Sequence, residues 1–500
     1  METLTKTLGP FSFFAIAFGS IIGVGWIVVV GDWLRMAGPA GACLAFFGSA
    51  LLIVLIGLCY AELSTMLPVA GGEIAYTYLT SGPLWAYAVG WFLALGYLAI
   101  CAFEAVSLGR IVGYLFPSVD TFVVQVLGSP VALGSVSVGL AGTVVVGTVN
   151  WFGVRVASLL QTVLTCVLLV LTGVFVVASV WNGQIVHLVP LFASEAGQSP
   201  WQGMVWIFVT APLWYMGFDI IPQMMEEANP TFSLKKLSLI IPLSLVAAAI
   251  FYVAVIVATA IVLPWQEVAG QELPAAYALD EAFDRSWLSR CVLVAGAVGL
   301  LTTWNGFCLG ASRLLYALGR ARLLAPSFAV VHAVYGTPRT SLLFVSVLSG
   351  GSVFLGREVL IPLVNVSSFG IAIAFLGVTL SLPRLRRRYP DLPRPYRVPG
   401  GRVVAGLGTC AAAMTLLALV LPMSPAGFGW PMEWGILLFW IALGGVLWVG
   451  SGSYRESISE GERGRILLQG RTGPVPPGPG GVTAGTDFVN NNVGHKTNPH

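Results

Sequence analysis

Two short runs carry residue types that bind small ions and zwitterions. The first is Gly19-Ser20-Ile21-Ile22-Gly23-Val24-Gly25, which puts three glycines inside an apolar stretch. Each glycine weakens a helix by about 1 kcal/mol relative to alanine. Unwinding there frees backbone N–H groups at the start of a half-helix, and these attract a carboxylate. Close packing of helices through small residues is the alternative. The second run is Trp214-Tyr215-Met216-Gly217-Phe218-Asp219-Ile220-Ile221-Pro222. Pro222 removes a backbone donor and disfavours helical geometry at Ile221. Asp219, in an apolar stretch, must face a cavity or a partner; its alternative role is to bond freed amides. Ile22, Met216 and Gly217 border the two breaks and join the candidate lining, with Trp214 placed to act as a gate.

Three further positions have the same character. Glu104 stands in the apolar segment CAFEAVSLG, a candidate for reading substrate charge or exchanging a proton. Its alternative is a neutral acid bonded to a neighbouring helix. Thr302 and Thr303 interrupt another apolar run. Their hydroxyls suit a sodium ion, or bonds between helices. Phe307 is one turn beyond Thr303 and shares its face. Glu62, Glu226 and Glu227 lie near the cytoplasmic ends of their helices and read as structural partners for inner-loop arginines. Enzyme motifs are missing: there is no HExxH, P-loop or GxSxG, and the four histidines share no element. The sequence therefore calls for no catalytic residue, no metal and no cofactor.

The elements holding these residues follow from composition. The 500-residue chain is 57% hydrophobic and 9% charged, against roughly a quarter charged in soluble domains. It lacks the polar residues for a water-facing surface, and a lipid bilayer removes that need. A net charge of +3 gives no footing for a nucleic-acid partner. The seven cysteines have no CxxC spacing and read as free, buried, small apolar residues. No cleavable leader is evident, and the first apolar run reads as a membrane helix.

A spanning helix needs roughly 20 apolar residues. Twelve stretches qualify, at about 11–36, 40–66, 83–112, 131–150, 155–181, 201–229, 237–263, 288–320, 339–356, 359–382, 402–423 and 431–451. With both termini cytoplasmic, all but five of the 25 Lys and Arg fall inside, leaving Arg35, Arg110, Arg285, Arg290 and Arg357 outside. The outer loop at about 264–287 is acidic, with Glu267, Glu272, Asp280, Glu281 and Asp284. Residues 452–500 turn polar and then rich in glycine and proline, which predicts a disordered cytoplasmic tail. His495 and His500 in it read as solvated.

The two glycine-bearing runs open two five-helix blocks, at about 11–181 and 201–382. Interrupted helices at matching places in two halves mark a transporter site. Here the chain resembles the amino acid–polyamine–organocation superfamily of permeases over about residues 9–451. The resemblance rests on GSIIGVG, YAELSTMLPVAGGEIAYTY, FEAVSLGR, GFDIIPQMMEEANP, ASRLLYALGRARLLAP and LPRLRRRYPDLPRPYRVPG, in that order.

The resemblance implies an all-α integral membrane fold with twelve transmembrane helices. It is LeuT-like: a five-plus-five inverted repeat with broken helices 1 and 6, plus two extra helices at about 402–451. The permease domain would occupy residues 1–451. It implies alternating-access transport of an amino acid in the cell membrane, coupled to protons. A polyamine or simple amine carrier and an amino acid exchanger are alternatives, and a sensor that no longer transports is another. By resemblance the substrate carboxylate meets Ser20, Gly23, Val24 and Gly25. Its ammonium group meets carbonyls of helices 1 and 6, and Phe218 and Asp219 match the gate and acid positions of helix 6. Two departures stand out. Trp26 follows the glycine motif, and Leu168 matches a position where some proton-coupled relatives carry lysine.

Overall fold

The computed structural model describes residues 4–468 apart from 117, 119–121, 127–128, 194–199, 272, 284–285, 357–358 and 425. Its helices are α1 Pro10–Ile21, α2 Gly25–Met66, α3 Gly72–Ser81, α4 Pro83–Leu115, α5 Leu133–Trp151, α6 Val154–Asn182, α7 Pro200–Thr210, α8 Ile220–Met224, α9 Leu234–Ser238 and α10 Ile240–Val262. The series continues with α11 Trp265–Ala269, α12 Pro274–Phe283, α13 Ser286–Arg320, α14 Arg339–Ser352, α15 Leu360–Arg388, α16 Gly401–Val420, α17 Met432–Gly450, α18 Gly452–Glu456 and α19 Glu460–Leu467. A short antiparallel hairpin, β1 Val123–Val126 with β2 Ser129–Ala132, sits between α4 and α5.

Among the described residues, ten helical spans are long and apolar enough to cross a membrane. Pro10–Ile21 and Arg339–Leu355 are shorter apolar helices. One of the ten, α2, is bent where Gly38 takes φ 72° ahead of Pro39. Proline has no N–H to give the preceding turn, so the ladder breaks there. The family of exposed residues along α6 is Val156, Leu159, Val163, Val170 and Val177, an apolar stripe at helical spacing. Such a stripe is unfavourable against water and natural against lipid. By contrast α4 and α13 have 83% and 72% of their most apolar windows buried, which puts them at the centre of the bundle. There α4 packs on α13 and α15, while α1 fits among α6, α10 and α13.

The helix ends are pinned by buried ion pairs. Arg313 donates from Nε and Nη2 to the two carboxylate oxygens of Glu227, each at 3.1 Å. Arg320 Nη1 donates to Glu226 at 2.9 Å, and Glu226 also accepts the Ala70 N–H at 3.0 Å. Arg386 pairs with Glu62, which also takes the Val398 N–H at 2.7 Å. All three glutamates thus have the structural role expected of them.

Two expectations are corrected. Residues 452–468 are not disordered: α18 and α19 fold back, with the Tyr78 hydroxyl donating to Glu460 O at 2.8 Å and Arg463 Nε to Ala321 O at 3.0 Å. Composition misjudged this stretch because its anchors are a few polar contacts and a three-residue apolar patch, Ile466, Leu467 and Leu468, too small to mark it. The rest of the tail, 469–500 with His495 and His500, lies outside the described residues, as do Glu272, Asp284, Arg285 and Arg357. All seven cysteines are free, yet Cys166 and Cys410 are exposed on helix faces, against the burial expected of them.

Candidate functional site

The chain unwinds at both glycine-bearing runs. Helix α1 ends at Ile21, whose successor Ile22 donates its N–H to Phe18 O at 3.0 Å, and α2 starts at Gly25. No acceptor among the described residues takes the N–H of Gly23, Val24 or Gly25. Helix α7 passes through a 3-10 turn at Ala211–Tyr215 and is interrupted at Met216–Asp219 before α8. Gly217 sits at φ 128°, a conformation that side chains resist. A Cβ there would lie 2.8 Å from the Ser20 carbonyl carbon and 2.9 Å from the Ile21 nitrogen. The two breaks therefore touch backbone to backbone.

Side chains converge on this contact. A Cβ on Gly23 would lie 3.1 Å from Thr303 Oγ1 and 3.6 Å from Glu104 Oε1. Glu104 is 2% exposed, and its Oε2 is buried without a partner. An orphaned carboxyl oxygen beside three unused N–H groups is unusual in a folded interior, where buried polar atoms are paired. The Trp214 ring lies over Gly25 and meets Trp33 edge to face at 5.4 Å. Val24 and Met216 are buried at the edges of the breaks.

Other expected residues face elsewhere. Ser20 donates its hydroxyl to Ile16 O at 2.6 Å and presses on Gly306 of α13. Asp219 is fully buried and doubly engaged: Oδ1 accepts the Gly217 N–H at 2.9 Å and Oδ2 accepts the Tyr97 hydroxyl at 2.8 Å. Phe307 meets the Tyr97 ring at 5.3 Å, on the Asp219 side. Phe218 stacks with Phe375 at 5.2 Å and meets Tyr60 edge to face at 5.4 Å. Thr302 donates to Gly299 O at 2.7 Å, and Thr303 to Gly19 O at 3.3 Å.

Four residues of the site were not picked out from the sequence. The Tyr252 hydroxyl reaches both breaks, at 3.2 Å from Ile21 O and 2.9 Å from Trp214 O. Tyr97 holds Asp219. Gln161 and Thr165, on α6, both donate to Ala15 O at 3.2 Å. Gln161 Nε2 also donates to Thr302 O at 3.1 Å, while its Oε1 accepts from Asn305 Nδ2 at 2.7 Å. A glutamine in the apolar stretch VASLLQTVLT is the signal by which the sequence marks Gln161. An apolar groove of about 560 Å³ between α5 and α14 is lined by exposed residues such as Val144 and Val347 and includes no residue of either break.

Residues 8–447 match the sequence profile of the amino acid permeases. The chain belongs to the amino acid permease family. Within it, this permease is 28% identical to the branched-chain amino acid permease BcaP of Bacillus subtilis over 437 residues, 84% of this chain and 89% of that protein. It is 25% identical to the methylthioribose transporter of the same species, over 89% of this chain and 92% of that one. It is 26% identical to the human b(0,+)-type amino acid transporter 1, over 85% and 83%. A multi-pass membrane transporter is the class to which the permease family and the apolar helices both point.

Proposed function

We propose that this permease carries an amino acid across the cell membrane by alternating access, driven by a proton gradient. The observation that carries the reading is the pairing of unused groups at the first break. The free N–H groups of Gly23, Val24 and Gly25 suit an α-carboxylate. Glu104, beside them, suits the ammonium group that a zwitterion presents a bond or two away. Val24, Trp214 and Met216 at the edges of the breaks are largely apolar, which fits an apolar substrate side chain. A branched-chain amino acid permease among the relatives agrees with that. A polyamine carrier is less well supported, since Asp219, the second acid it would need, already spends both oxygens on Gly217 and Tyr97.

The same polar contacts favour protons over sodium. A sodium ion at Thr302 and Thr303 would need oxygens from both hydroxyls and from α1 carbonyls. Thr303 already donates to Gly19 O, and the Gln161 amide donates to Ala15 O and Thr302 O. Donors thus fill the place of a cation. The architecture in this reading is twelve spans, joining α1 to the first half of α2, counting the second half of α2 separately, and joining α7 to α8. The blocks at about 11–181 and 201–382 form the inverted repeat, followed by α16 and α17, with both termini cytoplasmic.

Counterflow tests the reading. Proteoliposomes loaded with unlabelled leucine should take up labelled leucine, or another amino acid from a panel, faster than empty ones. A panel that stabilises the purified protein against heat and yet shows no counterflow would make the chain a sensor.

A further inference from the structure

Glu73 opens the first turn of α3, and its carboxyl is buried beneath α8. Its Oε2 accepts a hydrogen bond from Gln223 Nε2. Four polar atoms in this corner make no well-formed hydrogen bond: Glu73 Oε1, Gln223 Oε1 and the hydroxyls of Tyr60 and Tyr76, all on fully buried side chains, with the Tyr60 hydroxyl facing the Glu73 carboxyl. They come from α2, α3 and α8, and Gln223 stands one turn beyond Asp219. The groups facing Glu73 are Tyr60 of α2, Tyr76 of α3 itself, Tyr97 of α4, and Asp219 and Gln223 at the second break. None is basic. The arginines of the neighbourhood are committed elsewhere, Arg313 to Glu227 and Arg320 to Glu226.

A carboxylate in that corner would be buried beside a second carboxyl with one amide donor. Burial, and then the Asp219 charge, push its pKa well above the usual carboxylate range. A proton on Oε1 supplies the donor that Gln223 Oε1 lacks. With the proton gone, the Tyr60 or Tyr76 hydroxyl supplies the donor that the carboxylate needs. The corner has a hydrogen-bonding answer to either state, as a site that loads and unloads a proton requires.

We propose that Glu73, with Gln223, Tyr60 and Tyr76, binds the coupling proton, at a place separate from the substrate-facing Glu104. The assignment rests on the proton-driven reading above. It links the proton to movement, because Glu73 bridges α3 to α8, the half-helix that must shift for the site to change sides.

Two measurements on Glu73→Gln test it. The first is melting temperature against pH between about 5 and 8, without substrate. A carboxyl whose folded pKa is raised stabilises the fold at low pH and loses that contribution as pH rises through the folded value. The unaltered protein should therefore melt lower as pH rises, and Glu73→Gln should flatten that slope. The second is labelled leucine in proteoliposomes. The variant should keep counterflow and lose accumulation under an imposed pH gradient, with inside and outside concentrations becoming equal. An unchanged melting slope, or undiminished gradient-driven accumulation, overturns the proposal. If the unaltered protein shows no gradient-driven uptake, the transport reading fails, and the melting slopes still decide whether Glu73 binds a proton. Should Glu73→Gln not fold, Gln223→Leu removes the amide donor to the carboxylate. Its melting transition must then move to higher pH, and an unmoved transition overturns the proposal.

Discussion

Gly23 and Asp219 illustrate how residues of equal prominence in the sequence part company in the structure. A methyl group on Gly23 would sit in the space between Thr303 and Glu104, where the substrate carboxylate would approach. Gly23→Ala should therefore weaken the thermal stabilisation given by a bound amino acid, and Gly23→Leu should abolish it. Full stabilisation in Gly23→Leu would remove the carboxylate from this break. Asp219 holds the second break closed through Gly217 and Tyr97. Asparagine can keep both contacts, since the Tyr97 hydroxyl can turn and accept. The charge-assisted strength is lost, at a cost on the order of 1 kcal/mol. Asp219→Asn should melt lower while its uptake keeps the same shape against pH. A flattened uptake profile would make Asp219 a titrating group. The sequence made both residues conspicuous because both are costly in an apolar segment. It could not show that one has its partners and that the neighbouring acid, Glu104, has an oxygen without one, since pairing depends on Tyr97, 122 positions away.

At the level of helices, the interruptions were legible and the polar stitching was not. Three glycines in one run and a Gly-Asp-Pro series in the other weaken helical bonding locally, so a reading of the chain alone finds them. Gln161 is different. Its importance comes from the angle at which α6 meets α1 and α13, which brings one amide to Ala15 O, Thr302 O and Asn305 at once. Leu168, at the expected lysine position, is buried and apolar, and the donors come from Gln161 and Thr165 on the same helix instead. The ion pairs behave more simply, because an acid and an arginine both placed at helix ends have few other partners. Arg313→Ala would leave Glu227 charged and unpaired in the interior. That should cost about 3–5 kcal/mol, read as a large drop in melting temperature. A drop within the range of ordinary surface substitutions would show that the pair is open to water.

Across the whole molecule, composition announced a membrane protein before any motif was considered. A chain with 9% charge has nowhere to put its apolar surface except lipid, and the exposed apolar stripe of α6 is where that surface lies. The tail was misread for the complementary reason: residues 452–468 are held by hydrogen bonds of Tyr78 and Arg463 and by the short apolar patch Ile466, Leu467 and Leu468, which leave little mark on composition. The mechanism proposed is a carrier in which unused backbone groups hold the substrate and buried carboxyls take the proton. Uptake of a labelled amino acid into proteoliposomes, in sodium-free buffer with an acidic exterior, addresses that directly. The labelled solute should accumulate above its external concentration and leave again when the pH gradient is collapsed. Accumulation that requires sodium and ignores the pH gradient would contradict it.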